Sequence, residues 1–225
     1  MRIAVLGTGM VGREIAGRLD GLGHQVTVGT RDVATTLARQ DAGNDGVVYA
    51  TWAGEHSGVA LATYADAAAD AELVVNATQG GASLAALAAA GRDNLAGKVL
   101  LDTANPLDFS RGMPPTLSVV NDDSLGERIQ REFPEAKVVK SLNTLTAELM
   151  VHPQRLADGQ HSVFVSGDDA AAKKTVTELL TSFGHTDVID LGDISTARGT
   201  EMLLPIWLRL WGALGTPMLN VKVVR

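Results

Sequence analysis

Six residues near the N-terminus constrain this chain more than any others. Gly7-Thr8-Gly9-Met10-Val11-Gly12 follows the apolar run Ile3–Leu6 and leads into a stretch where Val11, Ile15 and Leu19 recur every four residues. A G-x-G-x-x-G between a strand and an amphipathic helix is a tight turn built to approach a pyrophosphate. Gly7 permits the turn, Gly9 leaves room for the anion, and Gly12 lets helix and strand pack closely. Thr8, Met10 and Val11 complete the contact surface, and the helix start aims N–H groups and a positive dipole end at the anion. The motif alone is weak. Its place at the head of a strand–helix–strand unit makes it a strong pointer to a dinucleotide.

The remaining chain alternates between two periodicities. Strand-like runs are Ile3–Leu6, Gln25–Val28, Leu73–Asn76, Val99–Leu101, Lys137–Ser141, Val163–Ser166 and Val188–Asp190. Helix-like runs are Val11–Leu19, Val33–Arg39, Ala60–Ala69, Leu84–Ala90, Leu125–Glu132, Ala170–Phe183 and Thr200–Leu214. Continuous apolar strands between amphipathic helices predict an α/β fold with a doubly wound, mainly parallel sheet of the Rossmann type. All 225 residues are expected to form one domain. Its dinucleotide-binding core covers about residues 1–145, and a compact C-terminal α/β extension, 146–225, is integrated with it. Ala42–Gly58 and Asp108–Pro115 read as mobile surface loops.

Composition narrows the chemistry. The chain has 19 Lys and Arg against 26 Asp and Glu, a formal charge of −7, and no cysteine. That excludes disulfides, thiolate metal centres and a cysteine nucleophile, and it disfavours nucleic acid or an anionic membrane as partner. The apolar stretch Met202–Leu214 contains Pro205 and Arg209 and is too short to span a bilayer. A cytoplasmic protein with a small-molecule partner is expected. The five histidines show no metal-ligand spacing, and His24 and His185 read as solvated turn residues.

Selectivity should reside after the second strand. An acid commonly holds the ribose 2′-hydroxyl of NAD there. Here Gly29-Thr30-Arg31 stands at the strand end, and Thr30 and Arg31 suit the 2′-phosphate of NADP. Asp32 is open to two readings: it accepts ribose hydroxyls, or it caps the next helix. Three further strand ends carry polar residues that should meet over the cofactor. These give Ala77, Thr78 and Gln79, flanking the adenosine half, then Ala104 and Asn105, as cofactor contacts, with Asn105 and Asn143 as positioning groups near the nicotinamide. No residue stands out as a general acid or base.

These residues resemble those of the NADP oxidoreductases that depend on coenzyme F420, an 8-hydroxy-5-deazaflavin. The resemblance rests on Gly7–Gly12, Gly23-His24, Val28-Gly29-Thr30-Arg31, Val165-Ser166-Gly167-Asp168-Asp169, Gly215 and the tail Asn220–Val224. It implies hydride exchange between NADP and F420, NADP held through Thr8, Thr30 and Arg31, and a homodimer. Asn143 stands where the family has His, so NADP carries over more firmly than F420. Related domains are the NADPH modules of ferric reductases. Two other readings stay open: a reductase of a small carbonyl or imine using Asn143, Lys140 or Asp102, and a non-catalytic NADP(H) sensor. The stripe Met202, Leu203, Ile206, Trp207, Leu210, Trp211, Leu214 is either a dimer face or core.

Overall fold

A parallel sheet covered on both sides needs strands that are apolar on both faces, and the computed structural model shows that arrangement. It describes residues 1–43 and 46–225, so the part of the Ala42–Gly58 loop at 44 and 45 lies outside the described residues. The first elements are β1 (Arg2–Leu6), α1 (Met10–Gly21), β2 (Gln25–Thr30), α2 (Val33–Ala38), α3 (Tyr49–Glu55), β3 (Ala60–Thr63) and α4 (Tyr64–Ala69). Then come β4 (Leu73–Asn76), α5 (Gly80–Ala90), α6 (Arg92–Leu95) and β5 (Val99–Asp102). A short hairpin, β6 (Leu107–Asp108) and β7 (Thr116–Leu117), leads to α7 (Leu125–Glu132), β8 (Lys137–Ser141) and α8 (Ala147–Val151). The chain closes with β9 (Ser162–Ser166), α9 (Ala170–Phe183), β10 (Asp187–Gly192), α10 (Ala197–Met202) and α11 (Leu204–Leu214).

Eight strands form one sheet in the order β10-β9-β8-β5-β4-β1-β2-β3. Neighbours are parallel throughout, except that β9 runs antiparallel to β8. The winding direction reverses between β1 and β4. In sheets of this kind the crevice outside the strands' carboxyl ends at that reversal is where ligands bind. The expected doubly wound Rossmann architecture is therefore present.

Strand alternation sorts the core into two layers. Ile3, Val5, Val26, Val28, Val75, Val139, Val163 and Val165 join Ile15, Leu19, Val176, Leu180 and Phe183 on one side. Ala4, Leu6, Val74, Leu100 and Val138 join Ala67, Leu87, Ala90 and Ile129 on the other. The first layer draws on residues from Ile3 to Phe183, so the C-terminal units share it with the N-terminal ones.

Several local expectations are corrected. Ala60–Ala69 is not one helix: Ala60–Thr63 pairs with β2 as the edge strand, and Thr63 then caps α4 by accepting the Asp66 N–H. No turn residue separates the two, so the helical pattern ran backwards into the strand. The segment read as a loop at Ala42–Gly58 holds α3, because Tyr49 and Trp52, three apart, are both buried. Thr200–Leu214 is split at Leu203, with Pro205 in the first turn of α11. Of the apolar stripe, Trp207 is buried and Leu203 half-buried, while Met202, Ile206, Leu210, Trp211 and Leu214 are exposed.

His185 is not a solvated turn residue. It is buried, its Nε2 lies 3.0 Å from the Met150 carbonyl, and its ring meets that of His161 edge-on at 6.2 Å. Burial pushes the imidazole down to about 4, with the nearby His161 adding and the Met150 bond opposing. The native state therefore rejects a proton that the unfolded chain accepts near its ordinary value of 6.5. The neutral ring's contribution is fully present above about pH 6.5 and is lost as pH falls toward 4. The shift corresponds to roughly 3 kcal/mol. His185→Gln keeps a donor for Met150 and should flatten the acid loss of stability by that order, read from urea midpoints between pH 7 and 4. An unchanged acid slope would exclude His185 as its source.

Candidate functional site at the carboxyl edge of the sheet

β1 ends at Leu6, and Gly7 turns the chain with φ +126°, a conformation open to glycine. Its N–H bonds the Gly29 carbonyl at 3.0 Å. A Cβ on Gly7 would stand 2.5 Å from the Ala77 oxygen, and one on Gly12 would stand 2.1 Å from the Gly7 oxygen. A Cβ on Gly9 would meet nothing within 4 Å. Two glycines thus fold the turn and the third leaves a space that a side chain would fill. α1 begins at once, with Gly9 at its cap and no side-chain capping bond, so the N–H groups of the first turn face that space. Gly12 differs slightly from expectation. It allows the helix to close on the turn's own Gly7 carbonyl.

The rim beyond β2 carries two cations. Thr36 donates to the Asp32 carbonyl at 2.8 Å, so the Thr30 hydroxyl, 2.7 Å away, donates to Thr36. The Asp32 carboxylate accepts the Thr35 N–H at 2.6 Å and caps α2, the second of its two readings. Those bonds to Thr35 hold its pKa below the ordinary value. Arg31 is exposed, and its charge tempers the upward shift that burial gives the Tyr64 phenol. Arg39 was missed in the sequence. It stands at the end of α2 and reaches back so that its Nη2 donates to Thr8 Oγ1 at 3.2 Å. A second arginine in the same strand–helix unit was the signal available.

Across the centre, Asn76, Asp102 and Lys140 stand in register at the ends of β4, β5 and β8. Asn76 Nδ2 donates to Asp102 Oδ1 at 2.8 Å, and its Oδ1 accepts the Thr78 hydroxyl at 2.7 Å. Lys140 Nζ lies 2.8 Å from Asp102 Oδ2 and also donates to the Ala104 carbonyl. The side chains of Lys140 and Asp102 are 0% exposed, so neither can touch a substrate. The small-substrate reading loses them as catalysts.

The segments expected over the cofactor do converge. A Cβ on Gly80, just after Gln79, would stand 2.0 Å from the Asn105 oxygen, so the start of α5 abuts the Ala104–Asn105 segment. Asn105 and Asn143 hold each other: Asn105 Nδ2 donates to the Asn143 carbonyl at 2.7 Å, and Asn143 Nδ2 donates to Asn105 Oδ1 at 3.0 Å. Leu142 precedes this pair in the left-handed region, φ +64°, with its side chain 1% exposed. A buried, branched residue there is a strained position of the kind that clusters at functional sites.

A doubly wound sheet with such a turn at its reversal defines a Rossmann-type α/β protein of the nucleotide-binding class. The family model described as NADP oxidoreductase, coenzyme F420-dependent, matches residues 2–106. The solved structure of a candidate F420-dependent NADP-reductase from Arthrobacter sp. FB24 is 66% identical, covers 100% of both chains, and superposes with a TM-score of 0.96. The chain belongs to the family of coenzyme F420-dependent NADP oxidoreductases. It is 30% identical over 213 residues to the metalloreductase STEAP3 of Rattus norvegicus, covering 92% of this chain and 38% of that one. It is 28% identical over 120 residues to the F420-dependent NADP reductase of Methanocaldococcus jannaschii, covering 53% of each. It thus spans only part of either relative's length.

The glycine geometry predicts opposite responses to one added methyl group. Gly12→Ala should lower stability by about 1–3 kcal/mol, since backbone must move. Gly9→Ala should stay within about 0.5 kcal/mol of wild type. Thermal melts of the two variants decide this, and equal losses would contradict the turn described.

Proposed function

We propose that this chain is an NADP(H)-dependent oxidoreductase that exchanges a hydride between the nicotinamide and a flat acceptor, coenzyme F420 or a similar ring. The open space above Gly9, flanked by an uncapped helix start, supports a pyrophosphate there. On this reading Gly7, Thr8, Gly9, Met10, Val11 and Gly12 hold the diphosphate. Arg31 and the added Arg39 flank the 2′-phosphate, Thr30 braces the rim beneath them through its bond to Thr36, and Asp32 is engaged as a cap. Ala77, Thr78, Gln79, Ala104 and Asn105 line the rest.

One observation carries the choice of acceptor. The polar groups at the nicotinamide end are the half-buried amide of Asn105 and, bonded behind it, the buried amide of Asn143, while the titratable Asp102 and Lys140 are sealed below. Reduction of a carbonyl calls for a proton donor at its oxygen. When bound, the nicotinamide supplies the hydride, and transfer between two rings needs chiefly placement. The locked amide pair is suited to that task, and it favours a flat acceptor over a small carbonyl or imine. We read the chain as one working unit and as a cytoplasmic enzyme. No helix among the described residues is long and apolar enough to cross a membrane. The exposed face of Ile206, Leu210, Trp211 and Leu214 supports a homodimer, to be read by light scattering.

Cofactor choice is tested by calorimetry. A charge-assisted bond to a phosphate is worth about 1.5–3 kcal/mol. Arg31→Ala should therefore weaken NADPH roughly ten- to a hundred-fold and leave NADH nearly unchanged. Wild type binding NADH as tightly as NADPH would refute the assignment.

The reaction is tested with NADPH deuterated at the transferable position. The label should appear on the ring carbon of F420 or another 5-deazaflavin, and Asn143→Ala should slow transfer about ten-fold rather than the 10²–10⁴-fold typical of a lost acid. If no flat acceptor is reduced, the sensor or small-substrate reading takes its place.

A further inference from the structure

Below the crevice lies a group of buried charges that the proposed reaction does not use. The side chain of Lys140 is 0% exposed, and its Nζ lies 2.8 Å from Glu201 Oε1 as well as 2.8 Å from Asp102 Oδ2. Glu201 belongs to α10 and is 1% exposed. Its Oε2 accepts the Leu125 N–H at 2.8 Å and its Oε1 accepts the Gly126 N–H at 3.0 Å. Two carboxylates around one ammonium leave an excess negative charge, and these N–H groups at the start of α7 offset it.

We propose that Glu201 is a positioning residue for the nicotinamide half of the cofactor, acting through Lys140 and Asp102 on the segments that line it. The inference rests on the dinucleotide reading given above. Lys140 stands between α10 and the crevice, with one donor to Glu201 and another to the Ala104 carbonyl. Asp102 Oδ1 takes the Ala104 N–H at 3.2 Å and Asn76 Nδ2 at 2.8 Å. Asn76 Oδ1 in turn takes the Thr78 N–H and hydroxyl. One chain of bonds therefore runs from Glu201 to both Ala104 and Thr78. The rim beyond β2, where the 2′-phosphate is proposed to sit, is held otherwise, by Gly7 N–H on Gly29 and by Asp32 on Thr35.

Glu201→Gln preserves shape but sets an amide against N–H donors of α7, so the link to Lys140 must loosen. The variant is titrated with 2′,5′-ADP, which occupies the adenosine half only, and with NADPH. The expected result is 2′,5′-ADP within about two-fold of wild type and NADPH weaker by about five- to twenty-fold. Both ligands unchanged, or both weakened by one factor, would overturn the proposal and leave Glu201 a purely structural residue. A wild type that binds neither ligand would overturn the dinucleotide reading itself. A second measurement uses wild type alone, so it survives a variant that fails to fold. Because coupling is reciprocal, NADPH should slow hydrogen exchange at the Leu125 and Gly126 amides beyond any effect of 2′,5′-ADP. Equal protection by the two ligands would overturn the proposal.

Discussion

The ammonium of Lys140 is the constraint on which the carboxyl edge of this sheet depends. Removing such an ion from water costs several kcal/mol even after relaxation, so its partners must be close and complete. Burial by itself would lower the pKa of Lys140, but Asp102 and Glu201 outweigh it and hold the group above its ordinary value. It is therefore charged at neutral pH. Its acceptors come from β5, from the segment after β5, and from α10. Taking one away leaves a buried charge short of a partner, typically a loss of 3–5 kcal/mol. The strand ends and α10 are therefore tied to a single arrangement.

That arrangement follows from the simplest property of a strand, its period of two. Val74 and Asn76, Leu100 and Asp102, and Val138 and Lys140 are pairs on one face of three adjacent strands. The lower members join the apolar layer with Leu87 and Ile129. The upper members, two register rows on, meet as a polar row. The same face is thus oil in the middle of the sheet and a hydrogen-bonded network at its carboxyl edge. Leu142 then departs from the pattern with its positive φ, sending its side chain into the core and presenting Asn143 to Asn105.

What the sequence disclosed, and what it hid, divides along this line. The glycine turn was legible because each glycine answers a local steric demand, as the contacts at Gly7 and Gly12 show. The central strands were legible because a doubly covered strand is apolar throughout. Long-range contacts were not. Glu201 lies 61 residues after Lys140 (201 − 140), and nothing near either one announces the pair. Arg39 reaches Thr8 across the turn, and His185 is buried by α8 and His161 rather than by its own neighbours. β3 was lost because Ala60-Leu61-Ala62-Thr63 has no side chain typical of strands beyond one Thr, and only pairing with β2 makes it one.

The rim beyond β2 shows how a local field can oppose the net charge. The chain carries −7 overall, which disfavours an approaching polyanion at long range. At 0.15 M salt that field decays within about 8 Å, so charges at the rim itself decide selectivity. On the proposed reading they include Arg31, Arg39 and Asp32. Asp32 is the one group that would favour NAD, and its carboxylate is turned to the Thr35 N–H as the cap of α2. The cap favours the ionised form and fixes the Asp32 carboxylate at the start of α2. Two arginines against one engaged carboxylate leave the rim net positive. A 2′-phosphate gains from that balance, and a bare 2′-hydroxyl finds no acid turned toward it. On the proposed reading, the capping bond of a short helix is therefore part of what selects NADP.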